Sequence, residues 1–210
     1  MSVTQEVVHF VNSMKAKDHV ILFYDTLKEK HNVLFNFLSA SLSNGKGAVY
    51  VCFEESPEEI RNAMKLFGID VRKNEEEGNL IISNYDEVYI ENGQADCLKI
   101  LAIWKEIYER FRKRGLGLSA VGEMSCFFIH NKVRELLRYE YALHRFLDLS
   151  RDGICAYNVN TIVETGYTEI MMPLVRAHGW AIFTGPSGSM VYKPENVEDY
   201  DVERLLKIRI

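Results

Sequence analysis

Two unbroken apolar runs constrain this chain most: HVILFYD at residues 19–25 and GAVYVCFE at residues 47–54. A strand with one wet face alternates polar and apolar side chains, whereas a run that is apolar throughout is a strand covered on both faces. Each run ends in an acid and leads into a segment of helical period. Leu34, Phe37, Leu38 and Leu42 share one face of a predicted helix over 28–43, which Asn44 and Gly45 stop. After the second run Ser56 can cap, Pro57 fits the first turn and Glu59 can close a capping box. Ile60, Ala63, Met64 and Phe67 then keep the period until Gly68.

The same alternation continues. Strands are expected at 80–85, 116–123 and 154–159, with helices from Asp96 to Gly115, over 131–149 and near 167–178. Residues 74–78 read as an acidic turn and 86–95 as a loop. A hairpin is expected from 180–184 and 190–193 around the turn 185–189, with an amphipathic helix opening the chain and a polar one closing it. Strands joined by helices imply right-handed crossovers, so the expected fold is a three-layer α/β/α sandwich with a mostly parallel sheet and the hairpin as its antiparallel edge. No repeat or Pro/Gly/Ser linker divides the chain, so one domain is expected over 1–210, with its core over 19–194.

With 210 residues, 47% of them apolar and 26% charged, the chain has ample material for a core. That excludes a disordered tail, a collagen-like fibre and a small disulfide scaffold. No apolar run reaches the ~18 residues of a membrane span, and the first residues lack a basic-then-apolar leader, so a cytoplasmic protein is expected. Twenty-five basic against 30 acidic residues give a net charge of −5, without the basic block that a nucleic-acid partner requires. The four cysteines, at 52, 97, 126 and 155, form no CxxC and no Cys–His pair at ligand spacing. The expectation is reduced thiols, no metal site and no cofactor.

In a parallel sheet, ligands bind outside the carboxyl ends of the strands. The first such end, 24–30, stands where a phosphate-binding loop would, yet no glycine precedes Gly45. Backbone N–H groups cannot wrap a triphosphate there in the usual way. Lys28, Lys30 and His31 read as solvated helix-start residues. Glu54 and Glu55 either orient a water or metal, or form an exposed pair that favours the next helix N-terminus. Glu123 leaves its strand beside the expected crevice, where a carboxylate is paired, touches a ligand or acts as a base. Glu140 and His144 stand four apart on an apolar helix stripe; Glu140 meets His144 or an arginine structurally, or else lines the same pocket as Glu123. Tyr157 and Asn158 reach the crevice from the fifth strand, His178 reads as a helix cap and 185–189 as a hairpin turn. The ligand-binding residues expected to converge on one crevice are Tyr24, Glu54, Glu123, Met124, Glu140 and Tyr157.

Residues 48–60, AVYVCFEESPEEI, resemble the second strand of KaiC/RecA-like ATPases, paired glutamates included. More specifically, the chain resembles the MEDS family, the sensory domain of the DcmR repressor of methylotrophs and of methanogen proteins. Phe23-Tyr24, the Glu54 strand, Gly68-Ile69-Asp70-Val71, Gly78-Asn79-Leu80, Gly122-Glu123-Met124-Ser125, Tyr139-Glu140 and Cys155-Ala156-Tyr157 carry the likeness, in order, from about residue 19 to about 180. The resemblance implies a RecA-like fold without the ATP-binding loop, used to sense small organic molecules. No helix-turn-helix is evident at either end, so a repressor role does not carry over.

Three readings follow. The first is a non-hydrolysing module that binds a small organic ligand and reports to a protein partner or a second copy of itself, with no part for nucleic acid or membrane. The alternative is a nucleotide-binding, KaiC-like protein with weak or no ATPase activity. The third is an enzyme using Glu123 and Glu140 as an acid/base pair, for which no nucleophile–base pair stands in support.

Overall fold

The two all-apolar runs become inner strands buried along their whole length. The structure, a computed structural model, describes residues 3–145 and 151–194. Helix α1 (Gln5–Asn12) precedes β1 (His19–Tyr24), and α2 (Leu27–Ser43) leads to β2 (Gly47–Cys52). Then come α3 (Pro57–Phe67), α4 (Val71–Glu76), β3 (Leu80–Asn84), α5 (Tyr85–Val88) and α6 (Cys97–Arg112). Strand β4 (Leu118–Glu123), α7 (Cys126–Ile129), α8 (Val133–Arg145) and β5 (Arg151–Asn158) follow. The described chain ends through α9 (Val159–Glu164), a 3-10 turn (Thr168–Ile170), α10 (Met171–Arg176), β6 (Trp180–Gly185) and β7 (Gly188–Tyr192). The seven strands form one sheet in the order β3-β2-β4-β5-β1-β6-β7, parallel throughout except for β7.

The local signals act as their chemistry dictates. Ser56 and Glu59 form the capping box of α3 with Pro57 in its first turn, and Gly68 ends the helix at a left-handed φ of 104°. Asp96 accepts from the N–H groups of Leu98 and Lys99 to start α6. The short helices depart from expectation. The acidic turn at 74–78 is largely α4, started by Asp70; the loop after β3 opens with α5; α9 was not foreseen. The helix near 167–178 is a 3-10 turn followed by the six residues of α10. Helices of one or two turns carry too few apolar positions to show a period, and caps such as Asn158 on α9 define them instead. The polar helix expected at the C-terminus lies outside the described residues.

Strand parity divides the core in two. Val20, Leu22, Tyr24, Tyr50, Cys52, Val121 and Ile154 face α1–α4. Ile21, Phe23, Val49, Val51, Ala120, Cys155 and Tyr157 face the layer of α5–α10. On that second face glycine makes room for bulk: a Cβ at Gly47 would run into the Phe111 ring, and one at Gly122 into the Tyr89 hydroxyl. At the amino ends of the central strands, Asp152 is buried and paired with Lys46 Nζ at 2.9 Å and Ser119 Oγ at 2.9 Å. Burial raises its pKa, and the two partners only partly offset this.

Two outcomes are expected. Gly47→Ala should destabilise the fold by about 1–3 kcal/mol through overpacking. Gly117→Ala, whose Cβ would meet only the Lys46 side chain, at 3.5 Å from Cγ and 3.8 Å from Cδ, should change stability by less than about 1 kcal/mol. Urea denaturation of both variants checks the contrast. For Asp152 the folded pKa lies above the unfolded one, so its favourable contribution is complete at low pH and is lost as pH rises through the folded value. Asp152→Asn should therefore gain stability relative to the natural chain as pH rises from acid to neutral, as thermal melts of both chains across that span would show.

Candidate functional site

The strand order places β2, β4, β5 and β1 side by side, so their carboxyl ends deliver side chains to one place. Glu123, at the end of β4, is fully buried and accepts four hydrogen bonds. Its Oε1 takes Lys30 Nζ at 2.8 Å and the Tyr50 hydroxyl at 2.6 Å. Its Oε2 takes the backbone N–H groups of Phe53 and Glu54 at 2.9 and 2.8 Å. Glu54 accepts from the Tyr24 hydroxyl at 2.5 Å, Asn158 Nδ2 at 2.5 Å and Lys30 Nζ at 3.2 Å. Glu55 lies 3.0 Å from Lys30 Nζ and 2.6 Å from His31 Nε2.

Lys30 is the hub. It enters from the first turns of α2, fully buried, and reaches all three carboxylates. Burial alone would lower the pKa of its ammonium; Glu123 first, then Glu54 and Glu55, outweigh that and hold it above the ordinary value. Burial, reinforced by Glu123, pushes the Tyr24 and Tyr50 hydroxyls well above the usual phenol range, so both remain neutral donors. Glu54, Glu55 and His31 form the rim, with 15%, 14% and 21% of their side chains exposed. With every acceptor position of Glu123 taken, only the rim can exchange a present partner for an incoming donor.

Several expectations are corrected here. Lys30 is not a solvated helix-start residue, although Lys28 is exposed. The visible signal is that Lys30, Leu34, Phe37, Leu38 and Ser41 share one helical stripe, which carries Lys30 inward. Glu54 and Glu55 are not an exposed pair; both are half-buried and ion-paired. The six expected site residues do not share one crevice. Tyr24, Glu54 and Glu123 meet at the carboxyl ends, facing α2. Met124 joins the core of the opposite face, as do Tyr157 and the helix that carries Glu140.

Glu140 builds a second centre on that face. It stands on the buried stripe of α8 with Val133, Leu136, Tyr139 and Leu143. Its Oε1 accepts from the Tyr157 hydroxyl at 2.5 Å. Its Oε2 lies 3.4 Å from His19 Nε2, 3.5 Å from His178 Nε2 and 3.6 Å from Cys155 Sγ. His19 Nε2 is 3.3 Å from Cys155 Sγ, and the two imidazole rings lie 4.0 Å apart. The side chain of His144 lies outside the described residues. His178 does bind its helix end, with Nδ1 2.7 Å from the Leu174 carbonyl, but its other nitrogen faces this cluster. Ligand spacing could not show the group, because its four members come from β1, α8, β5 and the turn after α10.

Comparison with known proteins fits this architecture. An uncharacterised protein of Pyrococcus horikoshii, solved with an unknown peptide, superposes with a TM-score of 0.67 at 14% identity, covering 93% of this chain and 92% of that one. A KaiC-like protein of the same hyperthermophilic archaeon gives 0.59 at 16%, covering 85% and 79%. The flagellar accessory protein FlaH of Methanocaldococcus jannaschii gives 0.62 at 11%, covering 93% and 86%. At these identities the likeness shows the fold: a KaiC-like α/β sandwich with a terminal antiparallel hairpin. No curated protein sequence matches the chain. Among the described residues no helix is long and apolar enough to cross a membrane. The model of the methanogen/methylotroph DcmR sensory domain matches residues 18–178, which span both polar centres, and the chain belongs to that family, MEDS.

Proposed function

We propose that the whole chain, 1–210, acts as one cytoplasmic sensory domain that binds a small organic ligand, reports to a protein partner or a second copy of itself, and does not hydrolyse nucleotide. One observation carries this reading: the ammonium of Lys30, near the start of the helix after β1, is bound inward by Glu54, Glu55 and Glu123. A phosphate-binding lysine would instead point outward from a glycine loop, and this chain has no glycine before Gly45. The rim offers carboxylates beside an aromatic hydroxyl and an amide, which suits a ligand with a cationic or hydrogen-bond-donating group. Tyr24 and Glu54 would hold such a ligand, with Glu123 behind them as anchor. Met124, Tyr157 and Glu140 would form the wall on the opposite face of the sheet that registers the change. The peptide in the similar P. horikoshii structure supports a peptide-like partner, and a net charge of −5 offers no attraction to nucleic acid.

The KaiC-like neighbour favours one other reading, a nucleotide-binding protein with weak or no ATPase activity. Thermal melts against a library of small organic amines and against ATP–Mg²⁺ separate the two. A ligand at about 100 times its Kd stabilises the fold by roughly 2.7 kcal/mol, or about 5–10 °C in Tm at this chain length. Such a shift is expected from an organic ligand and is expected to vanish in Glu54→Gln. A shift with ATP–Mg²⁺ alone, or ATP turnover that Glu54→Gln abolishes, would instead establish the nucleotide reading. Lys30→Met should cost about 3–5 kcal/mol in urea denaturation, since it strands buried carboxylates. A loss under about 1 kcal/mol would mean that Lys30 is a replaceable surface cation.

A further inference from the structure

We infer that His19, Glu140, Cys155 and His178 form a four-ligand site for a divalent metal ion of the zinc class, on the face of the sheet opposite Lys30. The inference does not depend on the sensing reading. All four residues are at least nine-tenths buried, and their four donor atoms lie within 4.8 Å of one another.

The spacing fits coordination. Zinc bonds of about 2.0–2.1 Å to nitrogen or oxygen and about 2.3 Å to sulfur, set at tetrahedral angles, hold neighbouring ligand atoms roughly 3.3–3.6 Å apart. The contacts here run 3.3 Å (His19 to Cys155), 3.4 Å (His19 to Glu140), 3.5 Å (His178 to Glu140) and 3.6 Å (Cys155 to Glu140). Small movements of the side chains would complete the set.

The supporting shell points the same way. A carbonyl oxygen only accepts, so the contact of His178 Nδ1 with Leu174 assigns the ring proton to Nδ1. Nε2 then faces Glu140 Oε2 at 3.5 Å, where one cation can be held by both atoms. The Tyr157 hydroxyl occupies the other oxygen of Glu140, which leaves Oε2 as the single ligating atom. Donation of a ligating histidine's second nitrogen to a carbonyl, and a hydrogen bond on a ligating carboxylate, are the outer contacts that fix metal ligands in orientation.

Charge selects the ion. The thiol loses its proton on binding, and one thiolate with one carboxylate gives −2, which a divalent ion neutralises inside the apolar core. Two imidazoles and a thiolate are poor ligands for magnesium or calcium and good ones for zinc-class ions.

The test uses the full chain, stripped with a chelator and titrated with Co²⁺ and then Zn²⁺. One equivalent of Co²⁺ per chain is expected, with the thiolate charge-transfer absorption and intense visible bands of a four-coordinate site, displaced by Zn²⁺. Cys155→Ser should abolish the charge-transfer band, and Cys97→Ser, which changes a half-buried cysteine of α6, should retain it. Tyr157→Phe should keep the stoichiometry and weaken binding roughly 10–100-fold. X-ray absorption at the zinc edge of the natural chain needs no variant, and one sulfur among nitrogen and oxygen neighbours is expected. The inference falls if the folded chain takes up no stoichiometric Co²⁺ or Zn²⁺, if the bound ion has no sulfur neighbour, or if the band survives Cys155→Ser. The cluster would then be a hydrogen-bonded core group only.

Discussion

One carboxylate with four donors organises the functional end of this protein. The chain leaving β2 must turn away from the sheet, and its half-buried N–H groups at residues 53 and 54 lie beyond the strand's ladder. Glu123 supplies the replacement from the neighbouring strand and recruits Tyr50 and Lys30 with its other oxygen. An unpaired backbone donor in such a place costs about 1–3 kcal/mol, and an unpaired charge more. Each member therefore depends on the others: the turn after β2 on Glu123, Glu123 on Lys30, and the inward course of α2 on both. The ammonium meets a carboxylate on each of three sides, from Glu54, Glu55 and Glu123.

Both polar centres lie at the sheet, on opposite faces, and each surrounds a glutamate. They differ in construction. The Glu123 centre carries a lysine and has a rim open to solvent, so it can exchange partners with an incoming molecule. The Glu140 centre is closed, with aromatic rings of Phe128 and Phe23 around Tyr157. Buried polar groups that are fully matched restrict a core to one arrangement, and the Glu123 carboxylate, with four donors on its two oxygens, is such a group.

The sheet was legible in the sequence because β2 is apolar throughout, β1 is apolar after His19, and the longer helices carry strong caps. Ser56 with Glu59 and Asp96 each mark a helix start by chemistry that acts within four residues. The short helices after β3 and β5 were hidden because so few residues show no period. Of the candidate site, the strand-end position of Tyr24, Glu54, Glu123 and Tyr157 was legible and their division between two faces was not. Tyr157 and Asn158 are neighbours in sequence, yet the pleat sends one to each face. Lys30 was misjudged by its charge, when its place on the stripe of Leu34 and Phe37 was the better guide. The approach of His19, Cys155 and His178 to Glu140 depends on crossovers between distant elements, and no local spacing records it.

Strand β5 is consequently a party wall. Cys155 and Tyr157 belong to the tenant on one side, and Ala156 and Asn158 to the tenant on the other. A substitution at one of these positions changes the side chain on one face only. An insertion or deletion of a single residue within the strand is another matter, because it exchanges the faces of every later side chain. Tyr157 would lose Glu140 and Asn158 would lose Glu54 in the same event. The length of β5 is thus a constraint that both centres share.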